Sequence, residues 1–88
     1  MTPGELALDS LGYRFESAAS VGFHKVLRYH AAETDKTIQF ESVINNGMYG
    51  VMVYCGSPYR KAPIITAITP DEINAISIRL DELNRWCI

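Results

Sequence analysis

The sequence predicts an α+β domain: a short N-terminal helix, an antiparallel sheet of four or five strands, and a C-terminal amphipathic helix packed on one sheet face. Three observations predict it. The segments TPGE (2–5) and TPDE (69–72) repeat a Thr-Pro-x-Glu opening near the two ends of the chain. Between them, apolar and polar residues alternate with the period of a strand. Asn46-Gly47 falls between two such runs, where a tight hairpin loop belongs.

The first helix is expected over 3–11. Thr2 is the N-cap, Pro3 fits the first helical position, and Glu5 closes a capping box. Gly12 supplies the stop after Leu11. A helix this short is not stable alone, so Leu8 and Leu11 must rest on another layer.

Strand-like runs follow at YRFES (13–17), FHKVLRYH (23–30) and TIQFESVI (37–44), with AAETDK (31–36) as a polar turn. Asn46 and Gly47 both tolerate positive φ, which suits a two-residue type I′ loop. That loop pairs Ile44 with Tyr49, Ser42 with Val51, Phe40 with Val53 and Ile38 with Cys55. One hairpin face then carries Ile38, Phe40, Ser42, Ile44, Tyr49, Val51, Val53 and Cys55. The other, with Thr37, Gln39, Glu41, Val43, Met48, Gly50, Met52 and Tyr54, is mixed. A one-residue slip would mix the two faces.

IITAI (64–68) reads as a last short strand. Thr69, Pro70 and Glu72 then open a helix expected to run to about Trp86. At helical spacing Ile73, Ile76, Leu80, Leu83 and Cys87 form one stripe, expected across Ile38, Phe40, Val51 and Val53. Ile78 stands nearly opposite that stripe.

Residues 1–88 are read as a single domain. A chain of this size buries only about 60–65% of its unfolded surface, so a partner or a second copy would add to a thin core. Net charge is −2 with an isoelectric point near 5.5. The ends are acidic and the middle, with Arg14, Lys25, Arg28, Lys36, Arg60 and Lys61, is weakly basic. That balance argues against nucleic acid as a partner. No apolar run reaches the roughly 20 residues of a membrane span. The N-terminus lacks the pattern of a signal peptide, and Cys55 and Cys87 read as free thiols of a reducing cytoplasm.

ITPDEINAISIRLDELNRW near the end and LDSLGYRFE near the start carry a resemblance. Together they are similar to a loose group of small proteins encoded by phages and prophages of Gram-positive bacteria. The matching positions are Leu11, Gly12, Tyr13, Ile68, Thr69, Glu72, Ala75, Ile76, Glu82, Leu83 and Trp86. Asn84-Arg85 before Trp86 and Ile73 in place of Leu depart from the pattern. The resemblance implies a mobile genetic element, a bacterial host cytoplasm, and a role in host takeover or evasion of host defence. It brings no catalytic residues.

No residue cluster has the spacing of a catalytic or metal site. The hairpin pairing turns Cys55 toward the core, where a thiol is inert. His24 and His30 share a strand face but stand about 20 Å apart, too far for a shared metal. GSPYRK (56–61) lacks a phosphate-loop pattern, and Pro58 and Pro63 forbid the helix such a loop needs. It reads instead as a stiffened loop presenting Tyr59, Arg60 and Lys61. Tyr and Arg are favoured interface anchors. Met52 and Tyr54 join them as candidate partner-binding residues, because the mixed hairpin face is more apolar than a solvent face requires. Cover by the first helix, through Leu8 and Leu11, is the competing reading of that face.

The expectation is therefore a non-enzymatic phage or prophage accessory protein that binds a host protein, such as a defence component, with no cofactor. A module for a small anionic ligand or nucleotide, held by Arg28, Arg60, Lys61 and an outer-face tyrosine, is the alternative. Homodimerisation through strand edges is a further expectation.

Overall fold

The computed structural model describes residues 1–21, 24–43, 47–56, 64–65 and 67–85. The order of elements is α1 (Pro3–Ser10), β1 (Tyr13–Val21), β2 (His24–Ala31), β3 (Lys36–Val43), β4 (Tyr49–Cys55), β5 (Ile64–Ile65) and α2 (Pro70–Asn84). This is the α+β architecture expected from the sequence.

Both helices begin as their caps dictate. The Thr2 hydroxyl accepts from the Glu5 N–H at 3.3 Å, and the Thr2 N–H donates to Glu5 Oε1 at 3.3 Å. Thr69 and Glu72 repeat the arrangement at 3.2 and 2.8 Å. Each box satisfies donors that a helix start leaves without intrahelical partners. Gly12 ends the first helical segment with φ of 91°, which a side chain would resist.

The sheet is antiparallel with order β1-β2-β3-β4-β5. β1 is longer than expected and carries an irregularity between Phe15 and Ser17. The β3–β4 register differs from the expected one by two residues. Phe40 pairs with Val51, Ile38 with Val53, and Lys36 with Cys55. The Asn46-Gly47 loop does not fit these pairs, although Gly47 does have φ of 71°. A slip of two residues keeps every side chain on its face, so alternation alone cannot detect it. Residues 44–46 lie outside the described residues.

Both helices pack on the same side of the sheet. Leu8 of α1 and Ala75 and Ile76 of α2 bury against Tyr13, Tyr29, Ile38, Phe40 and Val53. Phe15, Tyr29 and Phe40 run across three strands in edge-to-face contacts, with ring centroids 5.5 and 5.8 Å apart. Gly4 sets the helix crossing. A Cβ there would lie 2.7 Å from the Arg79 Cα and 2.4 Å from Glu82 Oε1.

The facing of α2 requires one correction. Ile73 was expected in the buried stripe but is 53% exposed. The buried face of α2 is rotated toward Glu72, Ala75 and Ile76, with Leu80 and Leu83 packed beside them. Glu72 and Arg79 turn inward because each has polar partners there. Val51 was expected beneath the helix and is also exposed. Cys87 lies outside the described residues.

Candidate functional surface

With both helices on one side, the opposite sheet face has no covering helix among the described residues. The first helix does not shield it. The antiparallel register sets out this face in rows: Val26, Glu41 and Gly50 in one, and Arg28, Gln39 and Met52 in the next. Met48 and Met52 are 54% and 48% exposed. Between them, with His24, Gln39 and Glu41, lies a hollow of about 300 Å³.

The polar groups of this face are cross-linked. His24 Nδ1 lies 3.2 Å from Glu41 Oε1. Arg28 Nε and the Tyr54 hydroxyl both donate to Gln39 Oε1, at 3.1 and 2.9 Å. His30 Nε2 lies 2.9 Å from Asp35 Oδ1, and its other ring nitrogen is 4.0 Å from Glu16. These carboxylate neighbours of the histidines were not legible in the sequence. They come from adjacent strands and a turn. Among the described residues, no group of three His, Cys, Asp or Glu is placed to hold a metal ion.

Met52 stands where the sequence places it, on the mixed face and open to solvent. Tyr54 lies on that face but is only 1% exposed, so it offers no contact surface itself. It has a strand on each side, pairing with Thr37 of β3 and Ile65 of β5, and its hydroxyl is spent on Gln39. Its role here is to fix Gln39, and through it Arg28. Tyr59, Arg60 and Lys61 lie outside the described residues. Sequence reasoning passed over His24, Glu41 and Gly50 as contributors to a hollow. A glycine inside a strand was the available signal.

The helical side holds a separate polar cluster. Glu72 is buried under α2. It accepts from the Tyr13 hydroxyl, from Lys36 Nζ at 2.9 and 3.2 Å, and from the Thr69 N–H. Burial alone would raise its pKa. The hydrogen bonds from Tyr13, Thr69 and Lys36 outweigh that and hold it at about 2. Burial and the adjacent carboxylate push the Tyr13 hydroxyl well above its ordinary value. Lys36 Nζ also donates to the Ala67 carbonyl at 2.8 Å. Glu82 joins the helices: it accepts from the Thr2 hydroxyl at 2.7 Å and the Gly4 N–H at 3.0 Å. Every one of these groups is committed to another part of the fold. Cys55, half-buried and opposite Lys36, is a free thiol beside this cluster.

Fold and surface together define a two-layer α+β domain, with two helices on one sheet face and a hollowed, partly apolar second face. No family model matches the chain, and neither a curated protein nor a solved structure matches it. No helix among the described residues is long and apolar enough to cross a membrane.

Proposed function

We propose that this chain is a non-enzymatic accessory protein of a phage or prophage that binds a host protein, and that its binding surface is the part of the outer sheet face around Met48 and Met52, which has no covering helix among the described residues. The observation that carries the reading is the placement of both helices on one face. It leaves Met48 and Met52 exposed around a hollow on the other. Methionine side chains are unbranched and adaptable, which suits a recognition surface. Apolar residues grouped on a surface mark interaction sites more often than solvated ones. The phage setting rests on the Leu11-Gly12-Tyr13 step and the helix that opens at Thr69 and Glu72. In the mechanism we infer, the domain occludes a surface of the host protein, such as a defence component. On sequence grounds alone, Tyr59, Arg60 and Lys61, outside the described residues, are further candidates for that contact.

A pull-down from bacterial lysate tests this. The wild-type chain is expected to retain a specific host protein. Met52→Glu, which places a charge in the contact without touching the core, is expected to weaken retention at least tenfold, about 1.4 kcal/mol. Equal retention by both chains, or no specific protein with either, would overturn the reading.

A further inference from the structure

Gly50 sits inside β4, directly opposite Glu41. The fold gives no reason for a glycine at this position. Gly12, Gly47 and Gly56 have φ of 91°, 71° and 85°, which only glycine adopts easily. Gly4 is pressed against the backbone of α2. Gly50 has neither excuse: its φ is not in the left-handed region, and among the described residues a Cβ built on it meets nothing within 4 Å. A glycine inside a strand costs backbone entropy and contributes no packing, and it often marks a place where another molecule comes close. Its missing side chain opens the hollow of about 300 Å³ on the outer sheet face.

We propose that this hollow receives one aromatic side chain of the partner protein, with a basic residue of that partner beside it. The inference rests on the reading of the outer face as a docking surface. Size points to the aromatic anchor, since the space holds one large ring but not a helix. Chemistry points the same way. Met48 and Met52 flank Gly50 two residues to either side, and thioethers pack favourably against aromatic rings. Aromatic residues lose little conformational entropy on burial and dominate interface energetics. Charge selects the neighbour. Among the described residues the lining holds one carboxylate, Glu41, and no Lys or Arg, so an anionic group is repelled and a cation favoured. The His24 contact holds Glu41 at the rim.

The test uses the full chain with ¹³C-methyl-labelled methionine, titrated with three capped dipeptides: Trp-Arg, Trp-Glu and Ala-Arg. Trp-Arg is expected to shift the Met48 and Met52 methyl signals with a millimolar Kd and leave Met1 unmoved. Trp-Glu should bind at least about threefold more weakly, and Ala-Arg should cause no shift at either methyl. Gly50→Val should abolish the Trp-Arg shifts while raising Tm by about 2–6 °C, because the new side chain enters open space in a strand. Absence of shifts at both methyls, equal binding of Trp-Arg and Trp-Glu, or undiminished binding by Gly50→Val would overturn the proposal. So would a lower Tm for Gly50→Val, which would show that the fold itself needs the glycine. The two readings separate in the lysate experiment. If Gly50→Val keeps the host protein and Met52→Glu loses it, the anchor fails and the docking face stands. If both keep it, the docking face fails.

Discussion

Glu72 shows how much one side chain can carry. It closes the N-terminal box of α2, receives the Tyr13 hydroxyl from β1 and neutralises Lys36 of β3. Its folded pKa of about 2 lies below the ordinary 4.5, so its contribution is fully present above pH 4.5 and is lost as pH falls toward 2. The shift corresponds to about 3 kcal/mol at most. Glu82, held below its ordinary value by Gly4, Thr2 and Arg79 against the opposing effect of burial, acts in the same direction. Urea midpoints are therefore expected to drop steeply between pH 4.5 and 2.5. Glu72→Gln should cost about 3 kcal/mol at pH 7, by leaving the Lys36 ammonium without its counter-charge, and should flatten the acid dependence. A midpoint unchanged by Glu72→Gln would contradict this account of the residue. The cap was legible in the sequence because its partners are three residues apart. Tyr13 and Lys36 were not, because they lie 59 and 36 positions away and meet Glu72 only once the sheet has formed.

Among the elements, the crossing of α1 over α2 is the most tightly constrained. Gly→Ala in a helix normally stabilises by up to about 1 kcal/mol. At Gly4 the sign should reverse. The added methyl would meet Arg79 backbone atoms at 2.7 and 2.9 Å, which cannot move without shifting α2. Gly4→Ala is expected to destabilise by about 1–3 kcal/mol in urea unfolding, and a stabilised variant would refute the close crossing. Thr2→Ala should cost about 1 kcal/mol or more, since that hydroxyl serves both the cap and Glu82. Helix starts were legible because capping is local. The facing of α2 was not, because an apolar stripe discounts Glu72 and Arg79 as residues that can face inward. Strand faces were legible from alternation, which placed Met52 on the outer face. The register was not, because a shift of two leaves alternation unchanged.

At the scale of the whole molecule, the two layers divide the labour. The helical side uses its ion pairs, caps and aromatic contacts to hold a small core together. The outer face keeps two exposed methionines, a strand glycine and a hollow that the core does not need. Tyr54 illustrates the limit of sequence reading at this scale. Its face was legible, but its burial and its hydrogen bond to Gln39 were not, because they form only once the strands have assembled. The three methionines of the chain offer a direct probe, since Met1 precedes α1 on the helical side whereas Met48 and Met52 lie on the outer face. The decisive measurement is photo-crosslinking in bacterial lysate with photo-methionine at all three positions, followed by mass spectrometry. The account predicts that a host protein is captured through Met48 and Met52 and not through Met1. Capture through Met1 alone, or no capture through either outer-face methionine, would contradict it.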